Sequence, residues 1–177
     1  VLIHAGASGV GTAAIQLARE MGAARILVTA SSGKHDICRR LGATHAIDYK
    51  KADFKEAVLD LSKERGVDVV IDFIGAPYLQ RNLSVLRTDG RLILLALMGG
   101  VQPESFNLAP LLRKRLQITG STLRARPLDY KIQLTEDFRA FAWRRFEQGS
   151  LQPVVDKVFD WTDAAEAHRF MEANRNK

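Results

Sequence analysis

A glycine-rich stretch near the start of the chain has the residue types that bind phosphate. Gly6, Gly9 and Gly11 follow the apolar run at residues 1–4 and lead into an amphipathic helical pattern. In that context Gly6 is expected to make a tight turn, Ser8 and Gly9 to open the backbone to a pyrophosphate, and Gly11 to let the helix pack on the strand. The helix N-terminus would present free N–H groups to the phosphates, so the pattern predicts a dinucleotide site.

Other glycine-rich motifs fail on the same residues. A P-loop needs Lys after Gly11, where Thr12 stands, and a nucleophile elbow needs Gly where Val10 stands. A methyltransferase-like sheet needs an acidic residue after the second strand, and residues 29–34 contain none. Ser8 replaces the second glycine of the dinucleotide pattern, but the strand before it and the helix after it favour that pattern over the others.

The end of the second strand indicates which dinucleotide binds. NAD sites carry Asp or Glu about 20 residues past the glycines, whereas this chain has small hydroxyl side chains and Lys34 there. A carboxylate would repel a 2′-phosphate, while Ser32 and Lys34 would attract it. The sequence therefore predicts NADP(H), with Tyr49 along the adenosine end.

Glycines also follow the fourth and fifth strands, at Gly75 and at residues 99–100. Ligands bind at the carboxyl ends of parallel strands, so these openings suit a cofactor that extends toward its nicotinamide. No catalytic acid or base is predicted, and Asp72 is expected to cap a turn. The four histidines lack the spacing of a metal site or a catalytic triad and are expected to be structural: His4, His35, His45 and His168.

The elements that must position these residues alternate between strand and helix. Nearly continuous apolar runs predict buried parallel strands, and helical patterns separate them. This order predicts an α/β fold, a Rossmann-type doubly wound parallel sheet with helices on both faces. The predicted strands are 1–4, 25–30, 45–49, 67–72, 91–97 and 116–120, and the predicted helices are 10–21, 34–41, 54–64, 78–86 and 108–114. Beyond them we expect a helix at 130–147, a strand at 154–160 and a helix at 162–173 with Thr162 as its N-cap.

Length and composition agree with one domain over residues 1–177. The chain opens directly on a strand, so we expect it to be part of a longer protein. No apolar run reaches the ~18 residues that span a bilayer, and one cysteine, Cys38, cannot form an intrachain disulfide, which together favour a reducing, cytoplasmic compartment. The net charge of +6 is dispersed, and the basic groups at 113–115 and 144–145 fit solvated helix faces, so no nucleic-acid partner is expected.

Several separated blocks resemble one known family. Residues 1–17, 41–43, 48–54, 97–100 and 167–174 are similar, in this order, to the quinone oxidoreductase branch of the medium-chain dehydrogenase/reductase superfamily. The resemblance implies a zinc-independent enzyme that passes a hydride from NADPH to a quinone or similar small electrophilic acceptor. It also implies a preceding GroES-like substrate domain, which this chain lacks, and a homodimer formed through the cofactor domains, with residues 116–126 at the shared edge.

The resemblance also implies roles for individual residues. The pyrophosphate loop would be Ala7, Ser8, Gly9 and Val10, and the 2′-phosphate group would meet Ser32, Lys34 and Tyr49. The loops around the nicotinamide would be Gly75, Leu97, Met98, Gly99, Gly100, Ser121, Thr122 and Leu123, with Asn174 near its end. Two alternatives stay open: an NADPH-dependent reductase of activated alkenes such as enones, and a crystallin-like or RNA-binding relative without a main enzymatic role.

Overall fold

The computed structural model describes residues 1–173, and the fold is an α/β sheet with helices on both of its faces. The six strands are β1 Leu2–Ile3, β2 Leu27–Ala30, β3 His45–Asp48, β4 Val67–Asp72, β5 Leu86–Leu94 and β6 Gln117–Gly120. The helices are α1 Gly9–Glu20, α2 His35–Leu41, α3 Phe54–Ser62, α4 Ala76–Val85, α5 Ala109–Arg113, α6 Leu128–Glu147 and α7 Ala164–Glu172. Short 3₁₀ turns precede α2 at Ser32–Lys34 and α7 at Trp161–Asp163.

All six strands run parallel in the order β3-β2-β1-β4-β5-β6. The register pairs Leu2 with Leu27 on one side of β1 and with Val70 on the other. From β1 the strand order runs outward through β2 to β3, and the chain then returns to the other side of β1 and continues from β4 to β6. Open α/β sheets bind ligands at such a topological switch point. The predicted doubly wound Rossmann-type sheet is confirmed.

Alternate residues of the central strands β1 and β2 enter two separate cores. One face of β1 and β2 contributes Leu2 and Leu27 to a core that includes Phe54 of α3 and Leu83 of α4. The other face contributes Ile3 and Val28 to a core that includes Ile15 of α1 and Cys38 of α2. A strand buried on both faces needs apolar residues at every position, which is why these runs do not alternate with polar residues.

The region after β6 departs from the sequence predictions. Residues 154–160, predicted as a strand, form no regular element and pair with no strand in the described part of the chain. An extended segment becomes a strand only when a neighbour satisfies its backbone N–H and C=O groups, and none lies beside this one. The prediction that Thr162 is an N-cap is wrong. The Asp160 side chain caps the 3₁₀ turn at Trp161–Asp163, where it accepts a hydrogen bond from the Thr162 backbone N–H at 2.9 Å. Among the described residues, no helix has the length and apolarity to cross a bilayer.

Candidate dinucleotide site

The loop between β1 and α1 ends in a well-formed helix cap. Ser8 has an extended backbone, and its hydroxyl accepts a hydrogen bond from the Gly11 N–H at 3.0 Å. A Cβ on Gly11 would lie 2.7 Å from the Gly6 carbonyl oxygen and closer still to that of Ala5, so only glycine fits there. A Cβ on Gly9 would meet nothing within 4 Å. The backbone of α1 is therefore open to approach at Gly9, as a phosphate site at a helix N-terminus requires.

The tight turn in this loop is made differently from the prediction. Ala5, not Gly6, has the left-handed backbone, with φ of 47°. Gly6 is needed for another reason, since a Cβ on it would lie 2.7 Å from Cβ of Val28 on β2. Close packing of the loop against β2 selects glycine at this position.

The predicted loop residues differ in exposure. Ala7 is buried, Ser8 is half-buried, and Gly9 and Val10 are exposed at the start of α1. Ala7 and Gly9 also line a cleft of about 400 Å³ whose far wall includes Val155 and Phe170 from the region after α6. The glycine loop thus has free space both above the helix and along its flank.

The residues predicted to meet the 2′-phosphate gather at the ends of β2 and β3. Ser32 and Lys34 lie in the 3₁₀ turn that follows β2, and Tyr49 follows β3 directly and is exposed. Because Ala30 and Asp48 are register partners, the ends of these two strands are adjacent. The structure also places Asp48 here, a carboxylate that the sequence reasoning did not include in the site.

The loops after β4 and β5 are joined by backbone hydrogen bonds. Met98 N–H donates to Phe73 C=O at 3.0 Å, Gly99 N–H to Ile74 C=O at 2.8 Å, and Ala76 N–H to Gly100 C=O at 3.0 Å. The predicted nicotinamide residues Gly75, Leu97, Met98, Gly99 and Gly100 are thereby brought together. Gly75 has φ of 86°, and a Cβ there would lie 2.7 Å from the Leu97 side chain.

The end of β6 completes the same edge of the sheet. The Ser121 N–H donates to Leu94 C=O at 3.0 Å, which holds Ser121 beside the end of β5. Thr122 and Leu123 continue into an exposed loop. Asn174 lies outside the described residues. From β3 to β6 the edge therefore carries the predicted 2′-phosphate, pyrophosphate and nicotinamide residues in the order in which an extended dinucleotide presents these groups, and their roles in binding stay a prediction.

A buried chain of hydrogen bonds lies directly under this edge. His4 contacts the Thr29 hydroxyl through Nδ1 at 3.0 Å and Asn82 Oδ1 through Nε2 at 2.7 Å. The Asn82 Nδ2 amide donates to Asp72 at 3.1 Å. Asn82 Oδ1 must therefore accept, so we assign the His4 proton to Nε2 and expect Nδ1 to accept from Thr29.

Asp72 connects this network to the loop after β4. Its carboxylate accepts hydrogen bonds from the backbone N–H groups of Ile74 at 2.7 Å and Gly75 at 3.1 Å, which is the predicted turn-capping role. Burial lowers the pKa of His4 to about 4. Burial also raises the pKa of Asp72, and this effect exceeds the opposite effect of the backbone N–H groups that donate to it. The predicted structural role of His4 is thus observed: it is neutral at pH 7 and supports the loops above it.

A second, larger cavity lies at the opposite edge of the sheet. It has a volume of about 760 Å³ and is lined by residues at the amino ends of the strands, among them Val1 and Val67. Residues just past the end of α1, Ala23 and Ala24, and Ser62 at the end of α3 also line it. Open α/β sheets bind ligands at the carboxyl ends of their strands, and this cavity lies at the amino ends, so it is not the dinucleotide site.

The fold and the glycine loop together define a class of protein, the nucleotide-binding domains of α/β oxidoreductases. Within that class the chain matches the sequence model of the family described as zinc-binding dehydrogenase over residues 9–147. It belongs to this family, which is part of the medium-chain dehydrogenase/reductase superfamily, and its relatives place it on the quinone oxidoreductase and VAT-1 branch.

Three relatives illustrate the likeness. The human protein named synaptic vesicle membrane protein VAT-1 homolog is 28% identical over 99% of this chain and 48% of its own length. The 2-haloacrylate reductase of a Burkholderia species is 33% identical over 97% of this chain and 51% of its own. The Thermus thermophilus quinone oxidoreductase, solved alone and with NADPH, has a TM-score of 0.79 at 30% identity over 97% of this chain and 53% of its own. The chain thus spans about half the length of these relatives.

The family description implies zinc, and the residues of this chain do not fit it. Within residues 1–173 no three His, Cys, Asp or Glu side chains are grouped so that they would hold a metal ion. His4 is committed to Thr29 and Asn82, and His35 contacts the Ala30 carbonyl oxygen at 3.0 Å. A tetrahedral zinc site needs several such side chains converging on one point.

Proposed function

We propose that this chain is the NADP(H)-binding domain of an NADPH-dependent quinone reductase. The observation that carries the proposal is the open approach to Gly9 at the N-terminus of α1, on the edge of the sheet where Ser32 and Lys34 also lie. The relatives solved with NADPH, from Thermus thermophilus and Escherichia coli, support the choice of cofactor.

The proposed reaction requires position more than acid or base chemistry. Bound NADPH would supply a hydride, and a proton from solvent would complete the reduction of the quinone to a hydroquinone. Ser8 and the first turn of α1 would hold the pyrophosphate. Gly75 and residues 97–100 would form the wall beside the nicotinamide. The joined backbone of those two loops makes that wall rigid, as hydride transfer at a fixed distance requires.

The remaining parts of the enzyme follow from the same likeness. We propose that the whole protein adds a GroES-like domain that closes the acceptor pocket. We also propose a cytoplasmic homodimer in which β6 pairs across the shared edge. The four residues of β6 are exposed, and within residues 1–173 β5 is their one strand neighbour, which leaves the other side open to a partner strand. Within the branch, we propose the p53-inducible quinone oxidoreductase as the functional type to which this chain belongs.

The cofactor proposal is tested by calorimetric titration of the whole protein with NADPH and, separately, NADH. Replacing Lys34 with Ala should weaken NADPH binding roughly tenfold and leave NADH binding nearly unchanged, because only NADPH carries the 2′-phosphate. Lys63→Ala, at the far end of α3, is a matched control that should change neither affinity. Absence of binding by either dinucleotide would overturn the proposal.

A second acceptor is favoured by one observation. The 2-haloacrylate reductase is among the more identical relatives, and its name gives an activated alkene as substrate. The same cofactor geometry would deliver a hydride to the electron-poor carbon of an enone. Comparing the turnover of a quinone and an enone at saturating NADPH separates the two functions, because only the acceptor differs.

A further inference from the structure

The end of β3 brings a carboxylate into the proposed dinucleotide site. Asp48 is the last residue of β3 and the register partner of Ala30, the last residue of β2. Ser32 lies two residues beyond Ala30 on the same edge. The Asp48 side chain is only 12% exposed, so it is held against the protein between these strand ends and does not extend freely into solvent.

The surroundings of Asp48 keep it in place and ionised. One carboxylate oxygen accepts a hydrogen bond from the Lys50 N–H at 3.0 Å, and the Lys51 ammonium lies 4.0 Å from the other. The Lys50 N–H lowers the pKa of Asp48 most, and the Ser32 hydroxyl, Lys51 and His35 lower it further. The carboxylate is therefore charged throughout the neutral pH range.

A charged carboxylate beside Ser32 has opposite effects on the two dinucleotides. A 2′-phosphate placed near Ser32 would be repelled by Asp48, and the Ser32 hydroxyl, attracted to Asp48, would be less free to donate to it. The 2′-hydroxyl of NADH is neutral and would donate to a carboxylate favourably, as it does where an acid follows the second strand.

We infer that Asp48 is a specificity-determining residue, and that its carboxylate weakens NADPH binding and keeps NADH usable at the same site. The inference rests on the proposed function and deepens it. The acid that is absent after β2 is supplied by the neighbouring strand, 14 positions past Lys34, and only the pairing of β2 with β3 brings it there.

The test is a titration of the whole protein with NADPH and NADH, in the wild type and in Asp48→Asn. Asn keeps an oxygen that accepts from the Lys50 N–H, so the turn should survive, and thermal unfolding checks this. We expect Asp48→Asn to tighten NADPH binding roughly tenfold and to leave NADH binding equal or weaker. Asp68→Asn is the matched control. It removes the same charge at the opposite edge, where Asp68 pairs with Arg87, and should alter neither affinity.

A second variant separates a local effect of Asp48 from one of overall charge. In the wild type, Ser32→Ala should weaken NADPH binding about twofold. In the Asp48→Asn background, where the hydroxyl is free to donate, the same change should weaken it about tenfold. An unchanged ratio of NADPH to NADH affinity in Asp48→Asn would overturn the inference while leaving the proposed function intact. A wild type that binds neither dinucleotide would overturn both.

Discussion

The two parts of the chain on either side of residue 120 are built in different ways. Residues 1–120 form the sheet and bury both of its faces in helices, with side chains such as Ile3, Val70 and Leu92 fully enclosed. Residues 121–173 bury almost none of their large apolar side chains. Trp161 is 86% exposed and Val158 is 82% exposed. The first part supplies its own core, and the second presents an apolar surface of the kind that marks an interaction site.

Polar contacts on α1 help to attach the second part to the first. The Gln16 side chain donates to Gln152 C=O at 3.0 Å and accepts from its N–H at 2.9 Å, much as a neighbouring strand would. Glu20 pairs with Arg145 at 3.3 Å and accepts from the Ser150 hydroxyl at 3.2 Å. The same helix whose N-terminus forms the proposed phosphate site therefore also anchors the C-terminal region.

Breaking the first part should have the largest effect. Gly11→Ala would force the new Cβ against the carbonyl oxygens of Ala5 and Gly6, and the backbone cannot move aside without opening the loop. We expect the free energy of unfolding to fall by about 3 kcal/mol or more, measured by urea denaturation. Gly120→Ala, where a Cβ meets nothing within 4 Å, is the control and should change stability by less than about 1 kcal/mol.

Acid should weaken the first part through His4. The pKa of His4 is about 4 in the folded protein, below its ordinary value of 6.5. Between these two pH values, His4 is protonated in the unfolded chain and neutral in the folded protein. Stability should thus fall by roughly 3 kcal/mol as pH drops from 7 to 4, offset near the low end by the raised pKa of Asp72. In His4→Gln the loss between pH 7 and pH 5 should be visibly smaller; an identical pH profile would show that His4 is not the responsible group.

Releasing the second part should have a smaller and local effect. Gln16→Leu removes both hydrogen bonds to Gln152, and the exposed backbone there regains water, so we expect a cost of about 1–2 kcal/mol. Proteolysis should become faster within residues 148–160 and not within the sheet. Gln133→Leu on α6, where the side-chain amide donates to Asp137, serves as the control. Equal acceleration of cleavage throughout the chain would show that the two parts are not separable.

The smallest expected effect is a gain in stability within the glycine loop. Ala5 has φ of 47°, a conformation that glycine adopts without the penalty of a Cβ. Ala5→Gly should raise the free energy of unfolding by about 0.5–1 kcal/mol, whereas Ala7→Gly, at a residue without positive φ, should lower it. A loss of stability in Ala5→Gly would mean that the Ala5 methyl group contributes more through packing than its backbone costs.

The sequence predicted the first part better than the second, for a physical reason. The central strands of the sheet are buried on both faces, so their apolar runs are dictated locally. The glycine loop could be recognised because Gly6, Gly9 and Gly11 lie between such a run and a helical pattern. Residues 154–160 are equally strand-like, but a strand depends on a partner that the local sequence does not reveal. Asp48 was missed for the same reason, because it is next to Ser32 in space and 16 positions away in the chain.

If the open surface over Gly9 receives the cofactor phosphates, Gly9→Ala should abolish tight binding without unfolding the protein. The new methyl group meets no protein atom within 4 Å, so the unfolding temperature should stay within about 2 °C of the wild type. The same methyl group would occupy the position that the pyrophosphate needs, so calorimetry should show NADPH affinity reduced at least tenfold. Wild-type NADPH affinity in a stable Gly9→Ala protein would show that the cofactor phosphates bind elsewhere.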